Sequence, residues 1–577
     1  MGTGQRWAAV SAAFLFSCTG SEIPSGPPAI ASDVPAEVSH DKNLADLPAS
    51  GPRWPALQTS VEQWSLDYPD STWKIISDET RKDEYGPATF KFGSQTLQVA
   101  VRKRGQQSWY HPKTSYKVKF PKGTKFEGAR SYNLLAEWLD AGYLTDMFSY
   151  GLMNAAGATA PRARYVSLTV NGTFQGVYTI VENVDDGDFL GARNLDPYAS
   201  VYRCGERDCE LKITPPAPYQ GPWEKKTNTT LPSDDLNGFL TNLSRVPEHE
   251  LEGFLTRNLE LDGYLKTFAV YILINMYGID DSGSFLVHDF AKERWSYVPW
   301  DLNNCQMMFY RMDPPAQEPY WSRPIPIFTA YDKQSVGTYQ WKQQKYGNAH
   351  MPFSVLSQRI WDNPTLRNRV LDQVETLLAT VFSAEQANGR IDAQWNLIKA
   401  EVERDPWVNA VNASLAARYL KEYVAKRTQY LSENLKQQRH TGEGGVVFNV
   451  LGAAGGTRHD ETGAAAPFIE LYNREATPID LGGGSISNDL RKQLLYALPA
   501  GMVVPPRGKL VLWADGKPEL GPTHLPFTIG DGGGELGLYD GTSLAGVRDI
   551  TYFAPLKPGN EYGRTTDGAE SWNWRSR

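Results

Sequence analysis

Two ends of one expected β-hairpin hold the side chains best suited to chemistry. Asp280 and Asp281 stand in the turn Gly278-Ile279-Asp280-Asp281-Ser282-Gly283, after a long apolar stretch, and Asp301 stands in Val298-Pro299-Trp300-Asp301-Leu302-Asn303-Asn304. The residues between them read as two strands, Phe285–His288 and Trp295–Val298. A hairpin brings its ends together, so Asp280 and Asp301, 21 positions apart, should converge. Converging hard oxygens suit Mg²⁺ or Ca²⁺. Isolated turn aspartates are usually caps; the pair straddling a single hairpin, with Trp300 before Asp301, points further. A second group is basic: Arg102-Lys103-Arg104-Gly105-Gln106-Gln107-Ser108-Trp109, then Lys113-Thr114-Ser115-Tyr116-Lys117-Val118-Lys119-Phe120. On an extended strand Ser115, Lys117 and Lys119 share one face and Tyr116, Val118 and Phe120 the other. Cations on a sheet opposite a metal-binding carboxylate pair would suit a polyphosphate. On pattern alone, a solvated strand face fits as well.

The elements that must carry these groups follow from periodicity. Strands are expected at Ala88–Phe92, Thr96–Arg102 and Ser115–Phe120, and residues 131–156 read as helical around Leu134, Leu135, Trp138 and Leu139. Arg164–Val170, an Asn171-Gly172 turn and Phe174–Val181 form a hairpin by the strongest short-range signal. Residues 250–277 read as helix and 354–438 as three or four helices, so this part is α+β. After Gly442–Gly445 the helical period vanishes. Short apolar runs at Val446–Val450, Phe468–Tyr472, Leu510–Trp513, Leu536–Tyr539 and Val547–Phe553 alternate with Gly, Pro and Asp turns, the texture of an independent all-β sandwich. The junction at Thr441–Gly445 is expected to be a cleavable linker.

Composition limits the alternatives. The chain has 577 residues and a net charge of -8, with no long Lys/Arg run, so nucleic acid is not an expected partner. No HExxH, Gly-x-Ser-x-Gly, GxxxxGK[ST] or EF-hand pattern is present. Arg6 followed by apolar Trp7–Phe16 reads as an export signal too short to span a bilayer. Its end, Leu15-Phe16-Ser17-Cys18, resembles the bacterial lipoprotein signal, which implies lipidation of Cys18, removal of residues 1–17 and membrane attachment. Residues 18–52 have the composition of a disordered tether, and Thr19 implies the outer membrane or cell surface. In an exported protein Cys204 and Cys209 are expected to form a small hairpin disulfide rather than a metal site, leaving Cys305 buried.

Several motifs, in order over about residues 60 to 435, resemble the CotH kinase family of atypical secreted kinases. They are Arg104-Gly105-Gln106-Gln107-Ser108-Trp109 with Lys113–Phe120, Asn133-Leu134-Leu135-Ala136 through Gly157 and Ala160-Pro161-Arg162-Ala163, Val170-Asn171-Gly172-Thr173-Phe174-Gln175-Gly176-Val177-Tyr178 with Glu182, and Pro299-Trp300-Asp301. The resemblance implies a two-lobed kinase-like domain over 53–440 that uses ATP with Mg²⁺ or Mn²⁺. Lys113 or Lys117, with Arg104, would hold phosphates; Glu182 would pair a lysine or a metal. Asp280 or Asp281 would be the catalytic carboxylate, and Asp301 with Asn303 the metal ligands. The family usually has Asn where Ser284 stands and a second Asp where Asn303 stands, which admits a catalytically inactive protein binding envelope or matrix partners. Residues 441–577 resemble the lamin-tail domain, an immunoglobulin-like sandwich, through Phe468-Ile469-Glu470-Leu471-Tyr472-Asn473, Pro505-Pro506-Arg507-Gly508-Lys509-Leu510-Val511-Leu512-Trp513 and Gly563-Arg564 with Asp567-Gly568. That module implies binding or anchoring, with Glu470 as a structural hydrogen-bonding residue.

Overall fold

A computed structural model describes residues 51–204, 209, 223–276, 283–303, 305, 307–309, 355–439, 445–456, 458–488, 495–530, 533–540, 547–553, 555–569 and 571–575. Cys18, Asp280, Asp281 and most of the 441–445 junction lie outside them.

The amino-terminal half is built on a closed seven-stranded barrel. Its strands are β1 (Glu62–Asp67), β2 (Gly86–Phe92), β3 (Gln95–Lys103), β4 (Tyr116–Lys119), β5 (Ser131–Leu135), β6 (Ala163–Val170) and β7 (Thr173–Glu182), in the order β1-β2-β3-β4-β5-β7-β6. Parallel pairing of β1 with β6, Trp64 opposite Leu168, closes it. Helix α1 (Asp70–Ile76) follows β1, and α2 (Thr145–Ala156) follows β5. Aromatic and branched side chains fill the interior, among them Trp64, Phe90, Val118, Tyr132, Leu134 and Leu168. Alternation along β4 buries Tyr116 and Val118 inside and leaves Lys117 and Lys119 outside. The β6–β7 turn has positive φ at both Asn171 and Gly172, as a two-residue hairpin requires.

One expectation fails here. Residues 131–135 form a strand between β4 and β7, and helix begins only at Thr145. Ser131, Tyr132, Asn133 and Leu134 are all buried, so the strand reads as a continuous run and not as alternation.

A second sheet has the order β11-β10-β8-β9, from β8 (Ser200–Cys204), β9 (Trp223–Lys225), β10 (Ser284–Asp289) and β11 (Arg294–Pro299). Helices α3 (Gly187–Ala192), α4 (Asp234–Arg245), α5 (Glu248–Asn258) and α6 (Leu261–Ile274) precede β10, so the single helix expected over 250–277 is two, separated at Leu259–Glu260. Four more, α7 (Val355–Asp362), α8 (Pro364–Ala379), α9 (Ala384–Glu403) and α10 (Ala410–Arg439), complete the helical body. A disulfide joins Cys204 to Cys209, and Cys305 is buried and free of disulfide bonding. No described helix is long and apolar enough to cross a membrane.

The carboxy-terminal part is β-rich. One sheet has the order β18-β13-β12-β21-β22, from β12 (Val446–Gly452), β13 (Phe468–Asn473), β18 (Lys509–Trp513), β21 (Glu561–Arg564) and β22 (Trp572–Arg575). Another has the order β16-β15-β19-β20, from β15 (Ser485–Ser487), β16 (Tyr496–Ala497), β19 (Gly534–Tyr539) and β20 (Val547–Phe553). The short pair β14 (Ile479–Asp480) and β17 (Val503–Val504) stands apart. Side chains of both larger sheets, including Ile469, Leu471, Ile486, Leu536 and Leu538, share one core. Glu470 is buried and accepts from Asn449 Nδ2 at 2.7 Å and Arg458 Nη1 at 2.6 Å, a hydrogen-bonding role inside the sheet. The Glu248 backbone N–H donates to Tyr562 Oη at 2.8 Å, linking α5 to β21.

Candidate active site

The site begins where β3 and β4 run toward the end of β11. Arg102 pairs across the strands with Lys117, and Arg104 lies two residues on, on the same face. Like charges directly opposite are destabilising unless something anionic offsets them. The protein offsets them in part: Lys117 Nζ donates to Asn183 Oδ1 at 2.9 Å and lies 3.6 Å from Asp185, and Arg102 lies 3.6 Å from the exposed Asp83 and donates to the Lys82 and Lys103 carbonyls. Burial, outweighing the pull of Asp185, together with Arg102 and Arg104 lowers the Lys117 amine to about 8. Burial and the charges of Arg203 and Arg102 likewise lower Arg104 to about 10, while Asp301 works in the other direction.

Arg104 reaches the opposite wall, its guanidinium 5.6 Å from the Trp300 ring centroid. Trp300 also meets Phe285 edge-on at 5.6 Å and Tyr150 at 6.3 Å. The base of the β10–β11 hairpin is closed by the Trp300 N–H donating to Gly283 O at 2.6 Å. Gly283 has φ +61, and a Cβ there would overlap Trp300 O and lie 3.1 Å from Asp301 Cβ. Only glycine fits so close to this turn. Asp301 itself is exposed and holds a left-handed backbone with φ +58. Non-glycine residues pay for that conformation in strain, which tends to gather at functional turns.

Two residues past Asp301, Asn303 leads to a set of buried carboxylates that no motif marks. Asn303 Nδ2 donates to Glu137 Oε2 at 2.7 Å. Glu137, also left-handed at φ +46, is buried, as are Asp140 and Asp146. Burial raises Glu137; hydrogen bonds to Asp146 and Asn303 oppose the rise, and the charges of Asp140 and Asp301 add to it. Burial, then Glu137, raises Asp146 well above the carboxylate range. Asp140 is held by the Gly142 and Thr145 N–H groups at 2.9 and 2.8 Å. Apart from its contact with Glu137, neither buried oxygen of Asp146 has a hydrogen-bond partner. Two ionised carboxylates cannot donate to each other, so a shared proton or a cation must lie between Glu137 and Asp146. Carboxylate oxygens are the donor type that a hard divalent ion takes. The only signal in the sequence was three acids within ten positions, Glu137, Asp140 and Asp146, in a segment read as helix.

Two expected ligand residues are placed differently. Lys113 is fully buried: Nζ donates to Val177 O at 2.5 Å, Tyr143 Oη at 2.9 Å and Asp405 Oδ2 at 3.1 Å, between the Tyr143 and Tyr178 rings. It cannot reach a ligand in the cleft, so of the two lysines Lys117 faces the site. Glu182 pairs neither lysine nor open space. Its Oε1 accepts from Arg162 at 2.6 and 2.9 Å, its Oε2 accepts from the Arg162 N–H at 2.8 Å, and Arg193 closes the cluster. Burial raises Glu182, but Arg193, Arg162 and that N–H prevail and hold it below its ordinary value. Ser284 is buried in β10 opposite Pro299.

The pattern of the family described as "CotH kinase protein" matches residues 101–431, more than half of the chain. The chain is 24% identical over 366 residues to "Inner spore coat protein H" of Bacillus subtilis (strain 168), covering 61% of this chain and 91% of that protein. A solved structure described as a Helicobacter pylori proinflammatory kinase CtkA aligns at 8% identity and a TM-score of 0.26, covering 59% of this chain and 97% of that one. The match runs through the β3–β4 cations, the Glu137–Asp146 segment, the β6–β7 hairpin and Pro299-Trp300-Asp301: the chain belongs to the CotH kinase protein family.

Proposed function

We propose that this protein is an exported protein kinase that transfers a phosphoryl group from ATP to a protein substrate at the cell surface. One observation carries the reading: Arg104, whose guanidinium lies 5.6 Å from the Trp300 ring centroid, feels the charges of Arg102, Arg203 and Asp301, and Lys117 stands opposite Arg102 across the strands. Triphosphate oxygens would lie along Arg102, Arg104 and Lys117. Mg²⁺ or Mn²⁺ would be held by Asp301, Glu137 and Asp146, with Asn303 orienting Glu137, and would supply charge neutralisation at the phosphates. Binding would resolve both internal conflicts at once, the crowded cations and the crowded carboxylates. Asp280 or Asp281 would orient the substrate hydroxyl and take its proton, a role carried by the family resemblance.

The test is thermal stability and phosphate incorporation with ATP and Mg²⁺ or Mn²⁺, for wild type, Asp301→Ala and Lys117→Met. Wild type should show both a nucleotide-dependent shift and incorporation, and each variant should lose them. The second reading, a non-catalytic surface protein that binds envelope or matrix partners through its β-rich part, rests on Asn303: its amide already occupies Glu137 Oε2. A wild type with neither shift nor incorporation would favour it. Attachment through a lipid on Cys18 belongs to the same proposal; fatty-acid labelling of the mature protein tests it, and an unlabelled protein in the medium would reject it.

A further inference from the structure

The β-rich part holds three side chains whose ligand atoms meet at one point. Asp460, Asp515 and His524 each offer one ligand atom, all within 4.8 Å of one another. Each is held by its other polar atom. Asp460 Oδ1 accepts from Thr462 N at 2.9 Å, Thr462 Oγ1 at 2.6 Å and Ala464 N at 2.9 Å. Asp515 Oδ1 accepts from Lys517 N at 3.1 Å. His524 Nε2 lies 2.8 Å from Glu461 Oε1 and Nδ1 lies 2.9 Å from Asp515 Oδ2. The His524 side chain is wholly buried and that of Asp515 nearly so.

The atom left over is Asp460 Oδ2. Asp460 is 7% exposed, and this oxygen is buried with no hydrogen-bond partner. A buried, donor-less carboxylate oxygen is costly unless something positive meets it. A proton on His524 Nδ1 would satisfy Asp515 alone. A metal ion at Nδ1 would satisfy Asp460, Asp515 and His524 together and leave Nε2–H to donate to Glu461. A ligating histidine whose second nitrogen is fixed by a carboxylate is the usual support of a metal site.

We infer that Asp460, Asp515 and His524 form a divalent-metal site of the zinc class, oriented by Glu461. An imidazole with two carboxylates favours Zn²⁺ over Ca²⁺, which takes an all-oxygen shell. The ion would tie the 453–467 connection between β12 and β13 to the segment after β18. There the isolated bridge Trp513–His524 already holds two chain segments together. The site owes nothing to the kinase reading.

The test uses the full chain after chelator treatment, titrated calorimetrically with Zn²⁺ and separately with Ca²⁺, without nucleotide. Wild type should bind one more equivalent of Zn²⁺ than His524→Gln, with a Zn²⁺-dependent rise in Tm that the variant lacks, and Ca²⁺ should not substitute. Glu461→Gln touches an exposed side chain and so keeps the fold testable if His524→Gln is unstable. It should weaken that equivalent by about 10–100-fold. Equal Zn²⁺ stoichiometry in wild type and His524→Gln, undiminished affinity in Glu461→Gln, or an Nδ1–H proton on His524 that persists in excess Zn²⁺ would overturn the assignment.

Discussion

Replacing Lys113 by Met separates two roles for one residue. As a phosphate ligand it could be removed with little effect on stability; as a core ion it could not. Its ammonium meets Asp405 Oδ2 at 3.1 Å, and both side chains are fully buried. The same oxygen accepts from Tyr143 Oη at 3.1 Å and the Val177 N–H at 2.9 Å. Gly176 is part of the arrangement: at φ +87, a Cβ there would overlap the Asp405 carboxylate. Removing one partner of a buried pair leaves an uncompensated charge, which costs about 3–5 kcal/mol. At roughly 2–4 °C per kcal/mol, Lys113→Met should lower Tm by on the order of 6–20 °C. The assay is thermal and urea unfolding of Lys113→Met, Asp405→Asn and the double variant. Much of the loss should be shared, so the double variant should be less destabilised than the sum of the singles. A cost below about 1 kcal/mol for Lys113→Met, joined to loss of nucleotide response in that variant alone, would refute the structural role.

Gly283→Ala should remove the nucleotide-dependent thermal shift by displacing the Trp300–Asp301 turn, at a stability cost of about 1–2 kcal/mol for the left-handed backbone; an unaltered shift would show that the turn adapts. Lys117 titrates near 8 in the folded protein, against about 10.4 for a free lysine. Between those values the unfolded chain binds the extra proton, so stability contributed here rises with pH. Nucleotide affinity should move the opposite way, falling above pH 8 in wild type and not in Lys117→Arg, as a binding titration across pH 7–9.5 would reveal. Glu137 is raised in the folded state, so its contribution to stability is lost as pH climbs through its folded value. Glu137→Gln should therefore stabilise the metal-free protein at neutral pH by about 1 kcal/mol while abolishing its response to Mg²⁺ or Mn²⁺, both read by calorimetry; a metal response that survives would exclude Glu137 as a ligand.

Local rules made much of the scaffold legible. Asn171-Gly172 forces a two-residue hairpin because both positions accept positive φ. Alternation from Tyr116 to Lys119 fixes which lysines leave the barrel, whereas the strands of the β10–β11 hairpin are buried almost throughout and read as short apolar runs. Strand β5 was hidden because its inward and outward faces are both covered, and its partners β4 and β7 come from different parts of the chain.

Residue types and spacing were enough to identify the Pro299-Trp300-Asp301 turn, the basic strand and the Cys204–Cys209 pair, because each is a matter of neighbours in the chain. The tertiary structure decided what those groups face. It sent Lys113 to Asp405, 292 positions away, and left Lys117, four residues on, in the cleft. It gave Glu182 two arginines, joined Glu137 to Asn303, and gathered Asp460, Asp515 and His524 around one point. A side chain's charge and reach are properties of the residue; its desolvation and its partners come from distant segments, and those set its chemistry.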